Sequence, residues 1–313
     1  MNKNYTILLY YHYTPIQDLV SFSKKHHSFC VKNQLLGRII IAKEGINGTV
    51  SGLESNCKKY MAYLRADSRF ADIDFKITPS QNHVFRKLNV RIKPEIVHAG
   101  LKELDPTLHT GQHLSVDEFE QMSQQNDVVL LDARSNYEHR LGKFKNALTL
   151  DINHFREFPE KAKTLNHLKK KKIITYCTGG VKCEKASAYL LAQGFEQVYQ
   201  LKGGIIRYGE KTDGSAFEGT CYVFDNRLSV PINSKNPTII SKCHLCQEAS
   251  DRMVNCANPA CNIHVPICDT CSQDYEGACS KVCQKSPSKR NYNGTGYYTK
   301  QLNGYQPSQG FRK

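Results

Sequence analysis

The residue types best suited to covalent chemistry in this 313-residue chain are its cysteines, and two patterns stand out. The first is Cys177, inside the run Lys172-Ile-Ile-Thr-Tyr-Cys177-Thr-Gly-Gly-Val-Lys182-Cys183-Glu-Lys-Ala-Ser. Residues 173–176 read as a short buried strand, residues 178–182 as a tight loop, and residues 183–193 as a helix with Ala186, Leu190 and Leu191 on its inner side. That order sets a thiol at a helix N-terminus within a bowl of backbone N–H groups, because Gly179 and Gly180 let the loop curl with its amides inward. The partial positive charge there favours the thiolate, the nucleophilic form of cysteine. Cys177 is therefore the candidate catalytic residue, and Thr178, Gly179, Gly180, Val181 and Lys182 form its cradle. Cys183, one loop away, is a candidate second thiol; its competing reading is a buried helix cysteine. The chemistry implied is attack by the thiolate, formation of a persulfide, then transfer. A six-residue loop suits a sulfur-sized group, whereas a phosphate needs a longer one.

The second pattern is Cys243-x2-Cys246, Cys256-x4-Cys261, Cys268-x2-Cys271 and Cys279-x3-Cys283. Pairs at two- to four-residue gaps present two thiolates to one tetrahedral ion, and eight thiolates suffice for two zinc sites. An interleaved pairing is expected: Cys243, Cys246, Cys268 and Cys271 on one ion, Cys256, Cys261, Cys279 and Cys283 on the other, with His244 and His264 as spare candidates. The segment has few large apolar residues, so metal would stand in for a core. A reduced or disulfide-linked cysteine-rich tail is the competing reading.

These groups need elements to hold them. The length suits two or three domains rather than one core. No apolar run is long enough to span a membrane and no basic-then-apolar signal opens the chain, so a cytoplasmic protein with no membrane partner is expected. In that compartment thirteen cysteines argue for catalysis or metal rather than disulfides. The net charge of +14 divides as +7 in residues 1–110, +3 in 111–214 and +4 in 215–313. A basic surplus suggests a polyanionic partner, nucleic acid first. Eight thiolates and two divalent ions would cancel the last share, making that segment a scaffold more than a clamp.

Residues 1–98 alternate strand and helix signals. A strand spans 5–11, and Pro15 opens a helix to about residue 32 carrying Leu19, Phe22 and Phe29. A hairpin of 36–42 and 48–52 is joined by Lys43-Glu-Gly-Ile-Asn-Gly48. Ser55 caps a second helix holding Tyr60, Met61 and Leu64, and another strand spans 73–77. This βαββαβ order predicts a ferredoxin-like α+β domain. A further strand follows, Lys87-Leu-Asn-Val-Arg-Ile-Lys93, with Lys87, Arg91 and Lys93 on one face as candidate contacts to a phosphate backbone; a solvated sheet face is the alternative. Residues 99–114 read as a linker, and 115–214 as an α/β domain whose first helix, 116–125, is capped by Ser115. Residues 215–285 form the cysteine-rich segment, with Cys221 structural. Residues 286–313 read as a flexible tail, where Tyr292, Tyr297, Tyr298 and Tyr305 with Lys289, Arg290 and Lys300 could stack on and neutralise single-stranded RNA.

The thiol loop resembles the active-site loop of rhodanese domains, whose cysteine carries a persulfide. The likeness extends to Val128-Val-Leu-Leu-Asp132-Ala-Arg134-Ser-Asn-Tyr137-Glu138, to Gly142-Lys-Phe-Lys-Asn-Ala147, and to the stretch ending Lys-Gly203-Gly204-Ile. Asp132 and Arg134 are expected to orient the loop by hydrogen bonds rather than react. The order of parts goes further. A domain carrying Ala42-Lys-Glu-Gly-Ile-Asn-Gly-Thr49 and Lys93-Pro-Glu-Ile-Val97, then the rhodanese-like domain, then a cysteine-rich end, resembles over nearly the full length the bacterial rhodanese-domain tRNA uridine hydroxylases. That resemblance implies an oxidoreductase making 5-hydroxyuridine at the wobble uridine of tRNA, with molecular oxygen as co-substrate and Cys177 as active-site residue. One departure is Lys182, where the family loop usually carries Arg; Lys keeps the charge but loses the planar fork. The residues themselves display no flavin or nicotinamide motif and no iron-binding triad, so hydroxylation rests on the resemblance. A sulfurtransferase delivering persulfide sulfur to RNA or a carrier, and a non-catalytic RNA-binding adaptor, remain as alternatives.

Overall fold

The computed structural model describes residues 4–101 and 103–296. The chain divides into two compact units, one of residues up to 136 with 144–214 and 224–226, the other of 137–143, 215–223 and 227 onward.

The first unit begins with a five-stranded sheet. In chain order its elements are β1 (Tyr5–Tyr13), α1 (Leu19–Lys32), β2 (Leu36–Ala42), β3 (Gly45–Leu53), α2 (Glu54–Arg65), β4 (Phe75–Ser80) and β5 (Leu88–Ile92). The sheet order β4-β1-β3-β2-β5 is the ferredoxin-like arrangement with β5 added at the edge, parallel to β2. Strand alternation divides the sheet into two faces. Leu8, Tyr10, Ile39, Ile41, Ile46 and Val50 turn toward Phe22 and Cys30 of α1 and Tyr60 and Leu64 of α2, forming the core. The intervening residues Leu9, Tyr11, Arg38, Ile40, Asn47 and Thr49 occupy the other face.

Several boundaries differ from the sequence expectation. Helix α1 starts at Leu19 rather than Pro15, because residues 14–16 pair with the turn after β2: Thr14 N–H donates to Glu44 O and Ile16 N–H to Lys43 O. Strand β3 starts at Gly45, not residue 48, since β1 runs on to Tyr13 and pairs with it there, shortening the turn to Lys43-Glu44. Helix α2 starts at Glu54 directly out of β3, so Leu53 rather than Ser55 holds the cap position. Strand β4 starts at Phe75 rather than 73, because Ile73 is buried and donates back to Phe70 O.

The chain continues with β6 (Gln112–Leu114), α3 (Val116–Ser123), β7 (Val128–Asp132), α4 (Asn136–His139), β8 (Gly142–Phe144), β9 (Leu148–Thr149), α5 (Phe158–Ala162), β10 (Lys172–Tyr176), α6 (Val181–Ala192), β11 (Gln197–Leu201) and α7 (Gly204–Lys211); residues 137–143, which make up most of α4 and β8, belong to the second unit and the rest to the first. Ser115 caps α3 in a reciprocal capping box with Glu118. A parallel sheet, β6-β11-β10-β7-β9, places β10 in its middle. Ile173 on β10 and Ala186 and Leu190 on α6 lie in its core with Leu131, Phe158 and Phe195. A central strand buried on both faces, feeding a packed helix, fixes the loop between them.

The second unit holds β12 (Phe217–Tyr222), β13 (Ser229–Pro231), β14 (Met253–Asn255), β15 (His264–Pro266), α8 (Asp269–Asp274) and α9 (Lys281–Gln284), with β12 pairing β13 and β8. Of the expected tail, residues 286–296 pack within this unit. Arg252, buried, donates to Tyr292 Oη at 2.7 Å and Gly294 O at 2.8 Å, Arg290 N–H donates to Ala257 O, and Lys289 pairs with Glu276. Tyr297, Tyr298, Lys300 and Tyr305 lie outside the described residues.

Candidate active site

Cys177 follows β10 and is 1% exposed. Two carbonyls of its loop are taken from outside, since Ile205 N–H donates to Cys177 O and Ile206 N–H to Thr178 O, each at 3.0 Å. Those bonds need Gly204, whose φ is +65° and where a Cβ would lie 2.4 Å from the Cys177 oxygen. With the carbonyls held outward, the amides turn inward: Gly180 N–H donates to the Cys177 sulfur at 3.2 Å, as does the amide of Lys182. Gly180 adopts φ +103° and starts α6, so Val181 and Lys182 belong to the first helical turn rather than to the loop.

Burial by itself pushes the Cys177 thiol up. It is outweighed by the hydrogen bond from Cys183, the charge of Lys182 and the amides of Lys182 and Gly180, and the thiol falls to about 6. Cys183 is pushed up by burial and by the same pairing, so it stays the protonated donor. Two other buried thiols, Cys30 and Cys57, are raised by burial to about 12 and about 11. Cys177 thus differs from them in what opposes burial, not in burial itself. The Lys182 ammonium lies 5.9 Å from the Phe155 ring centroid and 5.7 Å from that of Phe224. Asp132 and Arg134 form a fully buried pair, with Arg134 Nε and Nη2 on the two carboxylate oxygens at 2.9 and 2.7 Å and its guanidinium over the Tyr176 ring. Ala133 between them donates to Tyr176 O, so the pair braces the end of β10.

A cavity of about 600 Å³ opens over Cys177, within the size range of small-molecule pockets, about 300–1,000 Å³. One wall is the half-buried second face of the first sheet, with Leu9, Tyr11, Arg38, Ile40, Asn47 and Thr49. Another is the segment of residues 93–98 with Gly100, and the remainder is the thiol loop and Phe224. Of the three candidate phosphate contacts, Lys93 lines the cavity. Arg91 stands opposite Ile40 on the adjoining strand, and Lys87 lies about 13 Å from Arg91 at the other end of β5.

Tyr11, Glu184, Glu44, Glu95 and Lys185 were not singled out from the sequence, yet they hold the site together. Lys185 on α6 is fully buried, 2.8 Å from Glu44 and 2.7 Å from Glu95. Glu184, one residue earlier, accepts from Tyr11 Oη at 2.8 Å and Gln200 Nε2 at 3.0 Å, with His113 Nε2 at 2.8 Å. Burial raises its carboxyl, but these partners outweigh burial and hold it below the usual range. The signal available was the pair of stretches around Glu44 and Glu95, both lining this region.

In the second unit the sulfurs of Cys243, Cys246, Cys268 and Cys271 come together, as do those of Cys256, Cys261, Cys279 and Cys283; in each set all lie within 4.8 Å of one another. Cys246 to Cys268, Cys261 to Cys279 and Cys279 to Cys283 measure 3.7, 3.7 and 3.8 Å. With zinc–sulfur bonds of about 2.3 Å, the edge of a tetrahedral site is about 3.8 Å; a disulfide would need about 2.05 Å. Backbone N–H groups of Cys268 and Cys279 donate to the sulfurs of Cys243 and Cys256 at 3.4 Å, as a thiolate requires. The donor set therefore fits a metal ion. His264 belongs to neither group, instead bonding Asn255 Oδ1 at 2.7 Å among the rings of Tyr137 and Tyr222, and His244 is likewise outside both.

The central fold and its amide-cradled thiol define a rhodanese-domain protein, and comparison with known proteins agrees. Residues 5–96 match the UPF0176 acylphosphatase like domain, 115–211 the rhodanese-like domain and 218–284 the rhodanase C-terminal domain. A protein of Cytophaga hutchinsonii named tRNA uridine(34) hydroxylase is 58% identical over 97% of this chain and 98% of its own length. Proteins of the same name from onion yellows phytoplasma and Staphylococcus aureus are each 45% identical over 92% of this chain, covering 95% and 92% of their own lengths. The chain belongs to the tRNA uridine(34) hydroxylase family. Among the described residues, no helix is long and apolar enough to cross a membrane.

Proposed function

We propose that the protein hydroxylates C5 of uridine 34 in tRNA, with molecular oxygen as co-substrate and Cys177 as the active thiol, and that the base is presented in the cavity over Cys177. One observation carries this reading: a thiol brought down to about 6 forms the floor of a cavity whose rim holds Arg38 and Lys93. A nucleotide needs both parts, an apolar chamber for its base and cations for its phosphates. A relative 58% identical to this chain carries the matching name. The residues' part in the reaction is to hold a thiolate by the Gly180 and Lys182 amides, exclude water with Leu9, Ile40, Val97 and Phe224, and anchor the RNA backbone by Arg38, Lys93 and Arg91.

The eight clustered cysteines are proposed to hold two zinc ions that stand in for a core. The low thiol value and short loop also favour a second reading, persulfide transfer to RNA or a carrier. Nucleoside mass spectrometry of tRNA separates the two. A deletion strain complemented with Cys177→Ala should lack the uridine bearing one added oxygen, while the native gene restores it. Loss of a thiolated base instead would favour the second reading, and full hydroxylation with Cys177→Ala would refute the first.

A further inference from the structure

The sheet wall of the cavity presents one side-chain amide in a defined orientation, that of Asn47. Its Nδ2 donates to the Ile96 carbonyl at 3.0 Å. A carbonyl oxygen only accepts, so flipping the amide would set two oxygens against each other. Ile96 is held in turn, since its N–H donates to Glu44 Oε1 at 2.7 Å, and Glu44 is paired with the buried Lys185. Lys185 also meets Glu95, which accepts from the N–H groups of Ala99 and Gly100 at 3.3 and 3.0 Å. The wall at residues 95–100 is thereby tied to α6, the helix that begins at the Cys177 loop. Two valences remain on Asn47, in a side chain lining the cavity: the second Nδ2 hydrogen, and Oδ1, which accepts from no described residue.

Resting on the function proposed above, we infer that Asn47 reads the base. Oδ1 accepts N3–H of a uracil, and the free Nδ2 hydrogen donates to a carbonyl oxygen beside it. Cytosine carries a lone pair at N3, which would face the Asn47 oxygen, and in one of the two poses its amino group would also face the amide hydrogens. A freely rotating asparagine could turn over to accept cytosine; the Ile96 bond resists that. Leu9, Ile40 and Val97 limit the access of water that would otherwise relieve the mismatch. A bidentate amide–base contact of this kind discriminates by about five- to a hundredfold.

The test is fluorescence anisotropy of the full-length protein on three anticodon stem-loops differing only at position 34: uridine, cytidine and N3-methyluridine. The native protein should bind the uridine loop about five- to a hundredfold more tightly than either other. Asn47→Ala and Asn47→Ser should bring all three within about twofold while leaving the slope of log affinity against log salt unchanged, since phosphate contacts remain. Thermal melting identifies a variant that has lost its fold, and the other then carries the comparison. Persistence of the preference in a folded variant, or no preference in the native protein, overturns the role of Asn47 and leaves the proposed function standing. A native protein that binds none of the loops overturns both.

Discussion

Replacing Cys183 with alanine tests how the site makes a thiolate inside a protein. Cys177 is almost completely enclosed, which alone would push its thiol upward, and the hydrogen bond from Cys183 is the leading influence against this. A hydrogen bond to a charged acceptor is worth about 1.5–3 kcal/mol, or about one to two pH units. Cys183→Ala should therefore move the midpoint from about 6 to roughly 7–8. At pH 6 the thiolate fraction falls from about a half to a tenth or a hundredth, so alkylation by iodoacetamide slows by about five- to fiftyfold. The assay is the pH dependence of alkylation, mapped by mass spectrometry to the peptide containing Cys177, with Cys177→Ser as blank. Cys30 and Cys57, raised by burial to about 12 and about 11, stay silent in this range. The linkage sign follows from the depressed value. The thiolate's contribution to stability is complete above about 9, the ordinary value, and is lost as pH falls through about 6. The loss of melting temperature between pH 9 and pH 6 should thus shrink in Cys183→Ala. A variant midpoint still near 6 would refute the assigned role of Cys183, and a native midpoint near 9 would refute the account of the whole loop.

Three further outcomes are expected. Elemental analysis of protein purified without chelator should give about two zinc ions per chain, falling to about one in either Cys246→Ser or Cys261→Ser, because each change opens one tetrahedral set. Lys185→Met leaves Glu44 and Glu95 without their shared cation and should destabilise the folded protein by about 3–5 kcal/mol in denaturant titrations, with Glu95→Gln added to it recovering part of the loss. Reversing the charge of Lys87, Arg91 and Lys93 together should weaken tRNA binding and flatten its salt dependence by roughly 0.7 per lost contact on single strands and 0.9 on duplex; of the single reversals, Lys93 should act most strongly, because it alone of the three lines the cavity.

The thiol loop was legible because its cause is local. A short apolar strand, two glycines and a helix-forming run set the loop's path, which Ile205 and Ile206 then hold from outside, and Gly180 takes the left-handed conformation that its lack of a side chain permits. The cysteine pairs were legible for a similar reason, since a gap of two to four residues is set by the reach of two thiolates to one centre. Their grouping into two sets, expected from the spacing as interleaved, is the grouping in which the sulfurs lie. Less legible were the ends of elements in the first domain. Pro15 and Ser55 are good local signals for helix starts, but pairing of β1 with Gly45 and of residues 14–16 with the turn prevailed over both.

By itself, the sequence determined the βαββαβ order, the strand and helix alternation of the α/β domain, the place of Cys177 between a strand and a helix, and the cysteine pairs, because each depends on neighbours within a few residues. Only the tertiary structure decided what the thiol faces. The strand carrying Asn47, the stretch carrying Glu95 and the helix carrying Lys185 are separated by tens of residues, and none announces the others. They meet because one buried ammonium draws two carboxylates to it. A charge removed from water must find its partners wherever the fold can bring them, and sequence distance places no limit on that search.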